Sequence, residues 1–368
     1  MIHQTVSTCG ARAGFMMVAA ACLVAWATPA ARAADPVEAV LFRPGARAGI
    51  ECEVVSVTPT EVEIDRGEKV EKIPVEQIDQ LSFTAEPDAL RDARAALDRG
   101  DFAQAAEELG RMEAGDLDGL PPLIVAEYDY VKAAAGGGKV AGGGGDLAAG
   151  EKAVRAYLAK HAGSHHFFPM QELLSTLLAR GGKFDDAAAA LAPLDKGSPT
   201  FRVRAAAGRG RLLFDQRKYA EASREFVTAS QLPTDPQDKA SAAQKLSAEV
   251  GQARCLARLG KADDAIAAIS KVIDGSAPAD DRVLGEAYNA LGDVHRVAGK
   301  DQDAIVAFLT VDLVYNKDGD NEAEALFNLA QLWDAAKSPL RAKKTRQDLL
   351  DQYPDTVWAR KTTAAPTQ

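Results

Sequence analysis

Six stretches of this chain line up, without a gap, on one alanine. They are Gly100–Leu109, Gly182–Leu191, Arg217–Phe226, Gly260–Ile269, Gly299–Phe308 and Lys337–Arg346. Each opens on a turn and runs on as a short amphipathic helix. The shared column is Ala105, Ala187, Ala222, Ala265, Ala304 and Ala342. Alanine is common here, so one or two matches would carry no weight, but six of six mark a packing constraint. A helix crossing its neighbour closely at that position excludes a larger side chain, at a cost of roughly 1–3 kcal/mol. Four residues further on, Leu109, Leu191, Phe226, Ile269 and Phe308 can plug the groove between helical hairpins. Arg346 breaks that column, as a terminal unit facing water would.

The aligned alanines stand 82, 35, 43, 39 and 38 residues apart. The first interval is two units long, so one hairpin is hidden in it. Pro122–Ala135 is expected as its first helix and Asp146–Lys160 as its second. The chain therefore reads as an array of about seven irregular hairpins. Pro193, Pro233, Pro278 and Pro339 fall between predicted helices or at a helix start, where proline does least harm.

The clearest unit is Gly285–Phe308. Tyr288, Leu291, Gly292 and His295 share one face of a first helix, and Ala298-Gly299-Lys300 turns the chain. Ala304, Phe308 and Val311 mark the second helix. Gly292 lets the helices approach and Phe308 fills the space beside it. Leu-Gly in the first helix with Ala and Phe in the second resembles a unit of the tetratricopeptide repeat (TPR) family. Tyr353–Ala359 is similar to the junction between units in TPR proteins of the bacterial cell envelope, here opening a hairpin that is not completed. The resemblance implies a mainly α fold, a right-handed α-solenoid over residues 86–360, and a noncatalytic scaffold for a protein or peptide. It also implies that the first helices line the concave face. The inward positions are then Arg204, Arg211, Arg254, Arg258, Asn289, Asp293 and Arg296. Arginines grip carboxylates with two parallel hydrogen bonds, so an acidic peptide or a C-terminal carboxylate is the expected partner. The alternative is that these arginines are solvated or paired with Glu249, Asp215 or Glu286.

Residues 34–85 have another character. Glu51–Val57 and Glu61–Asp65 alternate apolar and polar residues, with shorter runs at Val37–Phe42, Lys69–Ile73 and Leu81–Phe83. Short strands at this density predict a small, bent, barrel-like β module. Val54–Ile64 and Ile73–Phe83 resemble the small Sm-like modules found beside helical repeats in some envelope proteins. So small a sheet is expected to pack on the first helices or on another chain. Its outward acids, Glu51, Glu53, Glu61, Glu63, Asp65 and Glu68, argue against RNA binding.

The N-terminus reads as an export signal. Arg12 precedes the apolar run Phe15–Thr28, which is too short to span a bilayer comfortably, and Ala31-Arg32-Ala33 fits a small-x-small cleavage site. A retained anchor is the alternative; Ala19–Ala21 makes a poor lipobox for Cys22. Loss of residues 1–33 removes Arg12 and Arg32 and no acid, taking the net charge from −10 to −12. A periplasmic or envelope-associated chain of that charge is a poor nucleic-acid binder, and no transmembrane span is expected after cleavage. Cys52 and Cys255 are expected as buried thiols, with a disulfide as the alternative.

No sequence pattern here calls for a cofactor, a metal or catalysis. Gly136–Gly145 lacks the Ser or Thr a phosphate-binding loop places after its Lys139, so it is expected as a flexible loop between helices. His161 and His165 have zinc-compatible spacing only on one helix, and Gly163-Ser164 separates them. With His166 they read as surface or junction histidines. Residues 361–368 are expected to be disordered. A second expectation of function is assembly, with the β module and the array ends docking to form an oligomer.

Overall fold

The computed structural model describes residues 32–46, 48–67, 69–113, 115–234, 238–277 and 280–363. The expected leader lies outside them except for Arg32 and Ala33, as do Glu68, Pro278 and residues 364–368 of the tail.

Five strands come first: β1 (Arg32–Phe42), β2 (Ile50–Val57), β3 (Glu61–Asp65), β4 (Val70–Pro74) and β5 (Gln80–Phe83). They form one antiparallel sheet in the order β4-β3-β2-β1-β5. Period-two alternation puts Leu41, Val54, Val62, Ile64 and Phe83 on the buried face and leaves Glu51 and Glu53 in solvent. The barrel expectation is corrected in one respect: the sheet does not close, because β4 and β5 are edges that do not pair with each other. The short link between them is a 3-10 turn, Val75–Gln77, hydrogen-bonded to both sides through Val75 N to Thr60 O (3.0 Å) and Asp79 N to Phe42 O (2.8 Å). The buried face continues into Leu90, Ala93, Leu109, Ile124 and Val131, so sheet and first helices share one core.

The helices pair as hairpins: α1 (Asp88–Asp98) with α2 (Phe102–Gly110), α3 (Pro122–Ala141) with α4 (Leu147–Lys160), and α5 (Phe167–Arg180) with α6 (Phe184–Leu191). They continue with α7 (Pro199–Asp215) and α8 (Tyr219–Gln231), then α9 (Lys239–Arg258) and α10 (Ala262–Gly275). The last are α11 (Asp281–Val297) with α12 (Asp301–Val314) and α13 (Gly319–Ala335) with α14 (Pro339–Gln352), followed by a single helix α15 (Val357–Thr363). This is a TPR-like α-solenoid. No described helix is long and apolar enough to cross a membrane.

All six column alanines are completely buried. Each stands four residues after the N-cap of its helix and donates its amide to the N-cap carbonyl, as in Ala304 N to Lys300 O (3.0 Å). The hidden hairpin obeys the same rule with a different residue. Gly150 stands four residues after the Asp146 N-cap, bonds to its carbonyl at 3.0 Å, and is followed four residues later by buried Val154. The close approach is direct: a Cβ built on Gly292 would lie 2.6 Å from the Phe308 ring. Phe226 is held likewise between Gly210 and Gly251, at 2.8 and 2.6 Å from their would-be Cβ atoms. Arg346, half-exposed, pairs with Asp334 of α13.

Two expectations fail in the same physical way. The glycine tract is helical through Ala141, because Gly137 and Gly138 are where Val154, Leu173 and the Phe102 ring press against α3. Only the residues after Ala141 form the connection. Residues 361–363 belong to α15, where the Lys361 ammonium lies 3.9 Å from the Trp358 ring centroid. Cys52 and Cys255 are free and buried, and burial pushes the Cys255 thiol up to about 12.

The residue just before each second helix's N-cap is left-handed in every hairpin: Gly100, Gly145, Gly182, Arg217, Gly260, Gly299 and Lys337. Arg217 (φ 60°) and Lys337 (φ 55°) carry the steric cost that glycine avoids, roughly 1–2 kcal/mol. Part of that is offset by glycine's greater freedom when unfolded. Arg217→Gly is therefore expected to stabilise the fold by up to about 1 kcal/mol in denaturant titration. An unchanged or lower midpoint would contradict this account of the turn.

Candidate functional site

Successive first helices pack on one another, whereas second helices make their main contacts with first helices, so the first helices form the inner layer. The sequence-predicted positions lie on that layer, but the structure joins most of them to neighbouring repeats. Arg204 pairs with Glu172 of α5. Arg254 reaches past α11 to Glu324 of α13 at 3.0 Å, and Arg258 meets Asp293 at 3.7 Å. Arg296 bonds to Asn328 and, at 3.2 Å, to Gln331. Asn289 is fully buried and donates to the Asn321 carbonyl at 2.8 Å. Arg211 stays exposed and forms no ion pair among the described residues, acting only at range on Asp215. The partners named from sequence, Glu249, Asp215 and Glu286, are thus mostly not the ones used. One polar lattice runs from α5 to α13 and fixes how each repeat sits on the next.

The inner layer also receives a cation from the chain's end. Lys361 of α15 forms no ion pair among the described residues, but feels at range the charges of Glu324, Asp215 and Asp293 on three different first helices and of Arg180 on α5. Beside it, the guanidinium groups of Arg180 and Arg360 flank Gly143, lying 3.1 and 3.2 Å from the position of a Cβ there. Burial, and then the Arg360 charge, depress the Arg180 guanidinium below its usual range. Arg180 donates to the Ala141 carbonyl at 2.7 Å, and Asp355 stands 3.7 Å from Arg360. Arg180, Arg360 and Lys361 were not singled out from sequence, because α5 and α15 are brought together only by the curvature of the array.

A second constellation lies where the β module meets the array. A cavity of about 350 Å³ is bounded by the Val75–Leu81 segment and by residues of α1, α3, α5, α7 and α9. Arg94 is buried at its floor and is gripped by Glu86 through two bonds, Nη1–Oε2 at 2.8 Å and Nη2–Oε1 at 2.5 Å. It also donates to Ser82 Oγ (3.1 Å) and lies 3.5 Å from Glu127 Oε1. The other Glu127 oxygen, Oε2, is 2.9 Å from His166 Nε2. The His166 ring stacks on Tyr130 with centroids 3.4 Å apart and planes within 3°. Burial alone would raise the Glu127 carboxyl, but the neighbouring His166, with Arg94 behind it, holds it down at about 2. Burial pushes His165 down to about 3, so its imidazole is neutral.

His161 is separate from this cluster and pairs with Asp129 at 2.8 Å. Ser164 divides the two as expected, accepting the His166 amide at 3.1 Å. Glu127 was missed from sequence, although a signal existed: with Ile124 and Val131 it forms a helical stripe, a carboxylate on an apolar face.

No protein-family profile matches the chain, and no curated protein matches it. Solved structures do. A tetratricopeptide repeat protein from Parabacteroides merdae is 16% identical, covers 75% of this chain and 98% of its own, and gives a TM-score of 0.46. NprR in complex with its cognate peptide NprX is 12% identical over 74% of this chain and 80% of its own, with a TM-score of 0.46. Rap protein complexed with Competence and Sporulation Factor is 14% identical over 72% of this chain and 73% of its own, with a TM-score of 0.48.

The lattice makes Arg254 a structural residue. Burial raises the Glu324 carboxyl, Arg254 opposes that, and Asp293 and Glu286 add to it. Arg254→Met leaves Glu324 without its partner and is expected to lose on the order of 2–4 kcal/mol at neutral pH, allowing for partial solvent access. Glu324's folded value lies above its ordinary 4.5, so the loss should grow as pH rises above 4.5 and be relieved in acid, where the carboxyl is protonated in both states. Arg254→Met with Glu324→Leu should recover most of it. Equal stability of the two variants in urea titrations at neutral pH would contradict the assignment.

Proposed function

We propose that the chain is an exported, noncatalytic scaffold that binds a protein or peptide on the inner face of its solenoid. The observation that carries this reading is the approach of the Arg180 and Arg360 guanidinium groups around Gly143, in the connection between α3 and α4. Two guanidinium groups, from α5 and α15, stand together with the carboxylate of Asp355 and a main-chain carbonyl against them, while Arg211 lies exposed on the layer of first helices. Like charges held this close favour an anionic partner, and guanidinium pairs bind carboxylates with directional hydrogen bonds. An acidic peptide segment or a C-terminal carboxylate suits the site. The Arg204, Arg254, Arg258, Asn289, Asp293 and Arg296 positions then shape the wall that a partner meets, and Arg211 with the Arg180–Arg360 pair supplies the contacts.

The leader features of residues 1–33 and the acidic remainder support export to the periplasm or cell envelope, as in the envelope TPR proteins that the junction at Tyr353–Ala359 resembles. The β module, similar to Sm-like modules, is anchored to the array by the shared core and leaves the β4 and β5 edges available for docking.

Two measurements test this. Arg211→Glu and Arg360→Glu, in a chain with unchanged circular dichroism, are each expected to weaken capture of the native envelope partner about tenfold, while Arg224→Glu, on the second helix α8, leaves it intact. Equal recovery from all three variants would remove the binding face from consideration. Mass analysis of the chain from its native host should find an N-terminus at Ala34; an intact Met1 would rule out cleaved export.

A further inference from the structure

We propose that Glu127, His165 and His166 form a binding site for a divalent transition-metal ion of the zinc class, at the junction of the β module and the helical array. The three residues each present a ligand atom, and these atoms lie within 4.8 Å of one another. Bond lengths of nitrogen and carboxylate ligands, about 2.0–2.2 Å, set donors no more than about 4.4 Å apart, so small side-chain rotations bring the three onto one ion. Two imidazoles and one carboxylate are a donor set that such ions prefer over magnesium or calcium.

A second observation points to a missing occupant. His165 is 94% buried, being 6% exposed, and its Nδ1 has no hydrogen-bond partner among the described residues. A buried, unpartnered ring nitrogen costs free energy unless something coordinates it or bonds to it. Glu76 Oε2, also on the cavity wall, is a further buried oxygen without a partner among the described residues. The imidazole is held in place by its neighbours: the His165 and His166 rings lie 3.8 Å apart, and His166 is fixed by its stack on Tyr130.

The charge balance also favours a cation. Arg94 stands nearby, but Glu86 grips it on both amino groups, and it faces Glu127 Oε1 rather than Oε2. Glu76, Asp79 and Asp98 line the same cavity, and Arg204 on its wall is paired with Glu172. The ion would replace the hydrogen bond between His166 Nε2 and Glu127 Oε2, its proton passing to solvent. Three protein ligands leave a position open towards the cavity for water. Glu127 sits on α3 while His165 and His166 precede α5, so the ion would clamp two successive hairpins together.

The test uses the full chain, stripped with a chelator and titrated with Co2+. The expected result is one ion per chain with ligand-field bands in the visible, displaced by Zn2+. His165→Phe keeps the ring volume and removes the donor, and should weaken binding at least about tenfold. His161→Phe, outside the cluster, should bind as the unaltered chain does. A readout without substitution guards against misfolding: Zn2+ should shield the partly exposed His166 of the unaltered chain from acylation by diethyl pyrocarbonate, and leave His161 reactive. No Co2+ uptake, equal uptake by a folded His165→Phe variant, or no shielding of His166 would each overturn the assignment.

Discussion

Each second helix meets its first at a residue with little or no side chain. Ala105, Gly150, Ala187, Ala222, Ala265, Ala304 and Ala342 occupy this one position, and the described alanines among them have no exposed surface. Close helix approach there allows the residue four places on to reach across, and the ring of Phe226 or Phe308 then rests on glycine backbone. The contact is dominated by dispersion and by removal of apolar area from water, and both fall steeply if the helices separate. Turn geometry depends on it too. The left-handed residue before each second helix sets the angle at which that helix returns to the contact. The polar pairs of the inner layer form between repeats only because this spacing is kept.

That constraint was largely legible in the chain. Alanine and the apolar residue after it recur at fixed offsets from a turn, and a pattern tied to a local offset survives irregular repeat lengths. Gly150 lies outside an alanine pattern, whereas the packing demands only that nothing larger than a methyl group be present. The tract Gly136–Gly145 misled for a related reason. Glycine lowers helix propensity, yet on α3 the lost propensity is offset by Phe102, Val154 and Leu173 packing against bare backbone. The β strands were visible from alternation; that β4 and β5 would not pair was not, since register across the sheet edges leaves no mark on either segment.

The polar chemistry was much less legible. Arg204, Arg254, Arg258 and Arg296 were expected on the inner face from the repeat resemblance, but their partners lie one or two repeats away, as Glu324 does from Arg254. Sequence distance of that kind depends on superhelical curvature, which the hydrophobic pattern does not encode. The histidine cluster shows the same limit. His165 and His166 offered no ligand set in their own segment, and Glu127 completes it from the preceding hairpin.

Solenoids ordinarily behave as one-dimensional chains of units, each stabilised only by its neighbours, so that the ends can fray while the middle holds. Here α15 lies against α13 and α14, and its Arg360 also reaches the connection between α3 and α4. The last element therefore touches the second hairpin, linking units that are five apart in order. Fraying from the C-terminus must break contacts near the start of the array, and opening near the start must release the C-terminus. An additive row of modules becomes a loop, in which the loss of any one segment is felt on both sides of the closure. Hydrogen exchange in α3 and α13 should then follow a common opening event rather than a gradient along the chain.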